Sequence, residues 1–289
     1  MLAYRHGFHA GNHADVLKHL VLIELLDALR RKDKPFCVID THAGDGVYAL
    51  DAPESAKLAE HAGGIGRLWE ARGLHPAVDV YLDAVAVHNP AGALRRYPGS
   101  PLLVAERLRP GDRLVAAEAH GTAYEHLSEC LGRRRGVQLR AGDGYASLKA
   151  LLPPSERRGL VLIDPSYETA GEYERLNAAL RMIHQRFRQG MVAVWYPLVP
   201  RKPAAPWLAS VRELGIPDVL VAELRVEPPG ADFGLYGSGM LLINPPWGLE
   251  ATLREALPRV AECMAGSQGE VSIRVLVDER GGLPAATDP

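Results

Sequence analysis

The chain has 289 residues, 47% hydrophobic and 24% charged, with a formal net charge of −2, which suits a globular protein with a full core in one large domain or two smaller ones. The bulk charge gives no support for a nucleic-acid binder, and the basic clusters 95–96, 133–135, 157–158 and 181–188 would form a phosphate track only if the fold gathered them on one side. No stretch approaches the roughly 18–20 apolar residues of a membrane span, the first residues lack an apolar signal core, and Cys37, Cys130 and Cys263 form no CxxC pair, so a cytoplasmic protein without a disulfide framework is expected.

The N-terminal residues, with Tyr4, Arg5 and His6, are too polar for a core. They read as a tail (1–13) that could fold over a cleft, and deleting residues 1–12 is expected to leave the melting temperature almost unchanged. A helix follows over 14–31, with Val16, Leu17, Leu20, Ile23, Leu26 and Leu29 close to a 3.6 period. The first strand, 36–40, runs into Asp40-Thr41-His42-Ala43-Gly44-Asp45-Gly46, a loop whose glycines let backbone approach a ligand. The next strand, 113–118, ends in Glu118, far beyond the roughly 20-residue spacing of a simple crossover. Residues 53–98, with helix-like pieces at 60–72 and 78–88, therefore read as a small helical subdomain inserted into that crossover. The main domain comprises 1–52 and 99–280.

Strand three, 137–141, leads into Gly142-Asp143-Gly144. Strand four, 160–164, is a short apolar run ending in Asp164-Pro165-Ser166-Tyr167. Further strands are read at 192–195, 219–226 and 240–243, with helices at 123–131, 145–151, 172–188, 207–214 and 249–264, and a frayed tail over 281–289. Alternating elements imply an α/β fold with a seven-stranded, mostly parallel sheet. In such sheets ligands bind outside the carboxyl ends of the strands, and four consecutive ends here carry glycines or polar groups. At the fourth, the Asp164 carboxylate and the Pro165 carbonyl can accept from an amine, and Tyr167 offers a ring face to a nucleobase.

The sequence resembles the class I S-adenosylmethionine-dependent methyltransferases, whose fold is Rossmann-like. The tetrapeptide is similar to the (D/N/S)PP(Y/F/W) signature of the amino-methyltransferases. The resemblance narrows to the RlmJ-type bacterial 23S ribosomal RNA adenine-N6 methyltransferases, carried by Tyr4-Arg5-His6, by the block from Phe8 to His19 and by Asp40-Thr41-His42-Ala43-Gly44. It continues through Tyr97-Pro98-Gly99-Ser100-Pro101, Ile163-Asp164-Pro165, Trp195-Tyr196-Pro197, Gly237-Ser238-Gly239-Met240 and Asn244-Pro245-Pro246-Trp247. It implies transfer of a methyl group from S-adenosylmethionine to the N6 amine of an adenosine in 23S rRNA, by a monomer. It also implies cofactor contacts at His19, His42, Gly44, Ser100, Glu118, Asp143, Gly144 and Asp164. Asp164, Pro165 and Tyr167 are implied at the reacting amine, and Tyr4, His6 and Lys18 at the substrate RNA.

Ser166 stands where the family has a second proline, and Asp45 where a small residue is common. Eleven histidines raise the question of a metal, but no cysteine lies near the crowded N-terminal ones and no HExxH occurs, so none is expected. An adenine-N6 DNA methyltransferase would share the acceptor chemistry, but little chain remains for a target-recognition domain. A non-catalytic RNA-binding protein on the same fold is opposed by intact Asp164, Tyr167, Glu118 and Asp143. A nicotinamide-dependent oxidoreductase would leave Asp164-Pro165-Ser166-Tyr167 without a role. Asn244 reads as structural or as a distal substrate contact.

Overall fold

The computed structural model describes residues 6–228 and 234–282. The first long helix, α1 (His13–Arg30), begins where the Asn12 side chain accepts from the backbone N–H groups of Ala14 and Asp15. Thirteen of its 18 residues are buried, so it runs through the interior with apolar side chains on every face. Strand β1 (Cys37–Asp40) is wholly buried and delivers the glycine loop. A short antiparallel hairpin, β2 (Val47–Ala49) and β3 (Arg96–Pro98), closes the inserted segment. That segment holds α2 (Pro53–Leu58), α3 (Ile65–Leu68) and α4 (Pro76–Ala86). Ile65, Leu68, Val78, Tyr81 and Leu82 share one core with α1, so the inserted helices pack as part of the main body. The crossover resumes with α5 (Ser100–Ala105), which no apolar period announces.

The chain then alternates: β4 (Arg113–Glu118), α6 (Gly121–Leu131), β5 (Val137–Ala141), α7 (Gly144–Leu151), β6 (Gly159–Ile163) and α8 (Glu172–Arg186). It ends with β7 (Met191–Leu198), α9 (Ala205–Arg212), β8 (Val219–Arg225), β9 (Gly237–Ile243), α10 (Leu249–Ala265) and β10 (Glu270–Val277). The sheet order is β10-β8-β9-β7-β6-β1-β4-β5. Strands β5, β4, β1, β6 and β7 are parallel neighbours, while β9 runs antiparallel to β7 and β8. The chain leaves β1 outward through β4 and β5, then returns to β6 on the other side of β1. This reversal opens a crevice at the carboxyl ends of the central strands, where α/β sheets bind ligands. One face of the sheet packs on α1, the inserted helices and α10, the other on α7, α8 and α9.

The sheet has eight strands rather than the expected seven. The eighth, β10, pairs antiparallel with β8, Glu270 opposite Arg225. Its alternation of polar and apolar residues is a strand signal, but a half-exposed edge strand owes its pairing to a neighbour that is remote in sequence. The N-terminal segment also departs from expectation. Ala10, Asn12 and Asp15 are at most 5% exposed. Gly11 takes φ +78° and packs so closely that a Cβ there would meet Ile65 Cγ2 at 2.8 Å. Polar residues enter this interior because each finds a hydrogen bond, as when Gly11 N–H donates to Asp15 Oδ2 at 2.8 Å. Tyr4 lies outside the described residues, as does the tail from 283; Gly282 folds back to donate to Asp278 Oδ1.

Candidate active site

The carboxyl ends of β1, β4 and β6 border an open cleft of about 1090 Å³. His19, His42, Gly44, Ser100, Glu118, Asp164 and Pro165 all line it, as do His6 and Lys18. Residues from the N-terminal segment to the end of the fourth parallel strand thus converge as the sheet order requires.

Asp164 follows the last residue of β6, and its Oδ2 lies 2.5 Å from the Lys18 ammonium. Lys18 is 4% exposed and also holds Asp15 Oδ1 at 2.7 Å. Asp15 in turn meets His6 Nε2 at 3.0 Å. A continuous chain therefore runs His6–Asp15–Lys18–Asp164. Burial alone would lower the Lys18 pKa, but the two carboxylates outweigh it and hold the ammonium charged. Burial likewise favours a neutral Asp15, yet the charges of His6 and Lys18 push its carboxyl well below its usual range. Lys18, expected at the RNA phosphate, is thus buried at the cleft with two of its three donors engaged by Asp15 and Asp164.

His19 is 1% exposed, and burial lowers its pKa to about 3, so it is neutral. Its Nδ1 lies 2.8 Å from the Tyr97 hydroxyl, which lies 3.0 Å from that of Tyr81. Its Nε2 is buried and has no hydrogen-bond partner among the described residues. Burial also lowers His42 to about 4. Beneath the cleft floor, Asp40 is fully buried and accepts from Ser100 Oγ at 2.7 Å. Burial, opposed by that bond and reinforced by the charge of Asp164, lifts its carboxyl to about 6.

Glu118 uses its side chain to fix the walls: Oε2 accepts from Gly44 N–H at 2.8 Å and Oε1 from His120 N–H at 2.7 Å. A carboxylate offers about four acceptor sites, so capacity remains for a ligand's hydroxyl groups. A bridge crosses one end of the cleft, where Asp45 Oδ2 lies 2.9 Å from His126 Nδ1, and that hydrogen bond raises the His126 pKa.

Three expected site residues are not on the cleft lining. Asp143 caps α7 by accepting from Tyr145 N–H at 2.9 Å and pairs with Arg175 at 2.6 Å. Gly144 serves close packing: a Cβ there would lie 2.0 Å from the Thr41 carbonyl oxygen. Tyr167, at φ +57°, donates its hydroxyl to the Trp195 carbonyl at 2.6 Å and sets its ring against Tyr173 and Trp195. Among the described residues no three His, Cys, Asp or Glu side chains gather to hold a metal, and no helix is long and apolar enough to cross a membrane.

Sequence reasoning missed the pairing of Lys18 with Asp164, the buried Asp40–Ser100 bond and the Asp45–His126 bridge. The first had a signal: Asp15 and Lys18 stand three apart inside an apolar helix, a spacing that puts two charges on one face. The partners of the other two are remote in sequence and carried none.

A family model described as ribosomal RNA large subunit methyltransferase D, RlmJ, matches residues 33–277. The chain is 42% identical over 265 residues to ribosomal RNA large subunit methyltransferase J of Haemophilus influenzae, covering 91% of this chain and 94% of the relative. It is 39% identical over 280 residues to the protein of the same name from Escherichia coli, covering 96% and 100%. Among solved structures, protein LPL1258 of Legionella pneumophila superposes with a TM-score of 0.86 at 34% identity, covering 92% of this chain and 98% of that one.

Proposed function

Because the chain belongs to the ribosomal RNA large subunit methyltransferase family described as RlmJ, we propose that it transfers a methyl group from S-adenosylmethionine to the N6 amine of an adenosine in 23S rRNA. The observation that carries the reading is the position of Asp164. It ends a central parallel strand at the cleft, is held by a buried ammonium, and is followed by the carbonyl of Pro165.

The residues present fit the cofactor. His19 lines the cleft, and its buried Nε2 has no hydrogen-bond partner among the described residues, so a ligand or a water there would satisfy it. His19, His42, Gly44, Ser100 and Glu118 would hold it; Asp143 and Gly144 would support the adenine end through the packing of α7. When bound, S-adenosylmethionine supplies an electrophilic methyl group.

The protein's part is to prepare the amine. The N6 lone pair is delocalised into the adenine ring, so the amine is a weak nucleophile. Asp164 Oδ2 is taken by Lys18, which leaves Oδ1 to accept an amine hydrogen, with the Pro165 carbonyl as second acceptor. Two acceptors draw the amine toward a pyramidal form and share the charge that develops on it, which is preorganised electrostatic stabilisation. A carboxylate neutralised by an ammonium is a weak base, so its main role is to accept a hydrogen bond, and the proton leaves to water. The target base must leave its stack. Tyr167 walls its pocket together with Trp195, and Tyr4 and His6 contact the RNA beside it. The reading carries with it a monomer, since one chain supplies the whole cleft lining, and a cytoplasmic setting, where ribosomal RNA is found.

The test is incubation with tritiated S-adenosylmethionine and, separately, 23S rRNA, 16S rRNA and duplex DNA, followed by nucleoside analysis. N6-methyladenosine in 23S rRNA is expected. Label appearing in DNA, or in no nucleic acid, would overturn the assignment.

A further inference from the structure

The loops that enter the five parallel strands lie side by side at the amino-terminal edge of the sheet, opposite the cleft, and every one carries arginine or lysine. Hydrogen bonds tie neighbouring loops together. The Arg158 guanidinium, entering β6, donates to the Lys34 carbonyl before β1 at 2.7 Å. Arg109, before β4, donates to the Lys32 carbonyl at 3.1 Å. With strands about 4.8 Å apart, the row spans roughly 19 Å.

Within it, Lys32, Lys34, Arg135, Arg157 and Arg188 are exposed, and their side chains form no ion pair among the described residues. Of the acids in these loops, Asp112 lies 2.9 Å from Arg109 and Glu156 2.9 Å from Arg113, while the exposed Asp33 stands between Lys32 and Lys34 and offsets part of their charge. A chain of net charge −2 thus concentrates unpaired positive charge on one edge.

An aromatic ring stands at the same edge. Strand β9 runs antiparallel to β7, so its last residue, Ile243, sits opposite Val192 near the start of β7. Asn244 fixes the following turn by donating its Nδ2 hydrogens to the carbonyls of Arg188 at 2.9 Å and Gly190 at 2.8 Å. Trp247, just beyond, is 93% exposed. An exposed indole on the edge that carries these cations suits single-stranded nucleic acid, with bases stacking on the ring and phosphates meeting the charges.

We propose that this amino-terminal edge is a second RNA-contact surface, where the loop cations meet phosphates of the substrate and Trp247 stacks an unpaired base. It rests on the ribosomal RNA reading above. An RNA long enough to leave the cleft and pass round the sheet would engage both surfaces; a short one would reach only the cleft.

The experiment uses the full chain, the charge-reversal variant Lys32→Glu/Arg157→Glu/Arg188→Glu and the variant Trp247→Ala. Binding to a long 23S fragment and to a short stem–loop containing the target adenosine is followed by fluorescence anisotropy from 50 to 200 mM salt. For the long RNA, affinity is expected to fall at least about tenfold in each variant. The log–log salt slope should drop by about 2 in the triple variant, since each lost phosphate contact removes about 0.7–0.9. For the short RNA, affinity and methylation should be unchanged. Methylation of the short RNA by the wild type checks the underlying reaction, while the edge is judged on binding alone. Unchanged long-RNA affinity and slope in both variants overturn the proposal. So does an equal loss on the short RNA, which would trace to the cleft. Poly-glutamate bound through this edge, with RNA affinity indifferent to Trp247→Ala, would identify a protein-docking face and overturn it too.

Discussion

Asp164 and Lys18 form a pair whose two members should fail in different ways. Asp164→Asn keeps the side-chain volume and leaves Lys18 its second partner, Asp15 at 2.7 Å. It removes the acceptor charge at the amine, so methyl transfer in single turnover should fall by about 100-fold, the scale for one preorganised group, with cofactor binding by calorimetry largely kept. Lys18→Met instead leaves Asp15 and Asp164 without their shared cation, and Asp15 is 1% exposed. Urea unfolding should show a loss of about 3–5 kcal/mol, because an uncompensated charge stays buried. A lysine reading only RNA phosphate would cost almost no stability, which separates the two roles.

At the scale of elements, the start of α1 and the start of α7 are each set by one cap and one close approach. Asn12 accepts from the first N–H groups of α1, and the Gly11 carbonyl accepts from Ile65 N–H at 2.9 Å. Asn12→Ala should therefore cost about 1 kcal/mol. Deleting residues 1–12 should lower the melting temperature by several degrees in a thermal scan, since it also strips the buried Ala10 from the core. At α7, Gly144→Ala would push a methyl group into the Thr41 carbonyl that borders the glycine loop. A loss of about 1–3 kcal/mol is expected, with weaker cofactor binding, because the loop must move.

For the whole molecule, three buried histidines set the acid limit. Burial lowers His13 and His42 to about 4 and His19 to about 3, whereas in the unfolded chain each titrates near 6.5. Between these values the unfolded state binds more protons than the folded one. The stability they permit is therefore complete above the unfolded pKa and is lost as pH falls toward the folded values. His9 and His126 work the other way: hydrogen bonds to Glu60 and Asp45 raise their pKa values, so each adds stability below about 6.5. Buried Asp40, lifted to about 6, also gains a proton in the folded state as pH falls and opposes them, but the three buried rings together outweigh these groups. Chemical denaturation should show a net loss on the order of 3–5 kcal/mol between pH 7 and pH 5, with His19→Gln flattening the curve. A pH-independent midpoint over that range would show that these rings are not held neutral.

What the amino-acid sequence determined by itself was everything local or periodic. The buried runs of β1 and β6, the apolar helix α1, and the order of a glycine loop, an acid at Glu118 and an acid at Asp164 were all readable. Burial on both faces and turn chemistry leave direct marks on composition and spacing. Tertiary structure decided what depends on neighbours remote in the chain. It paired Lys18 with Asp164, 146 residues away, turned Asp143 to Arg175, made Gly144 a packing residue and added β10 to the sheet edge. It also brought basic residues from three of the four runs, at 133–135, 157–158 and 188, to the edge where the parallel strands begin. The physical reason is common to all of these. Charge, hydrogen bonding and close packing act through space over a few ångströms, and only the folded topology sets which distant residues come that close.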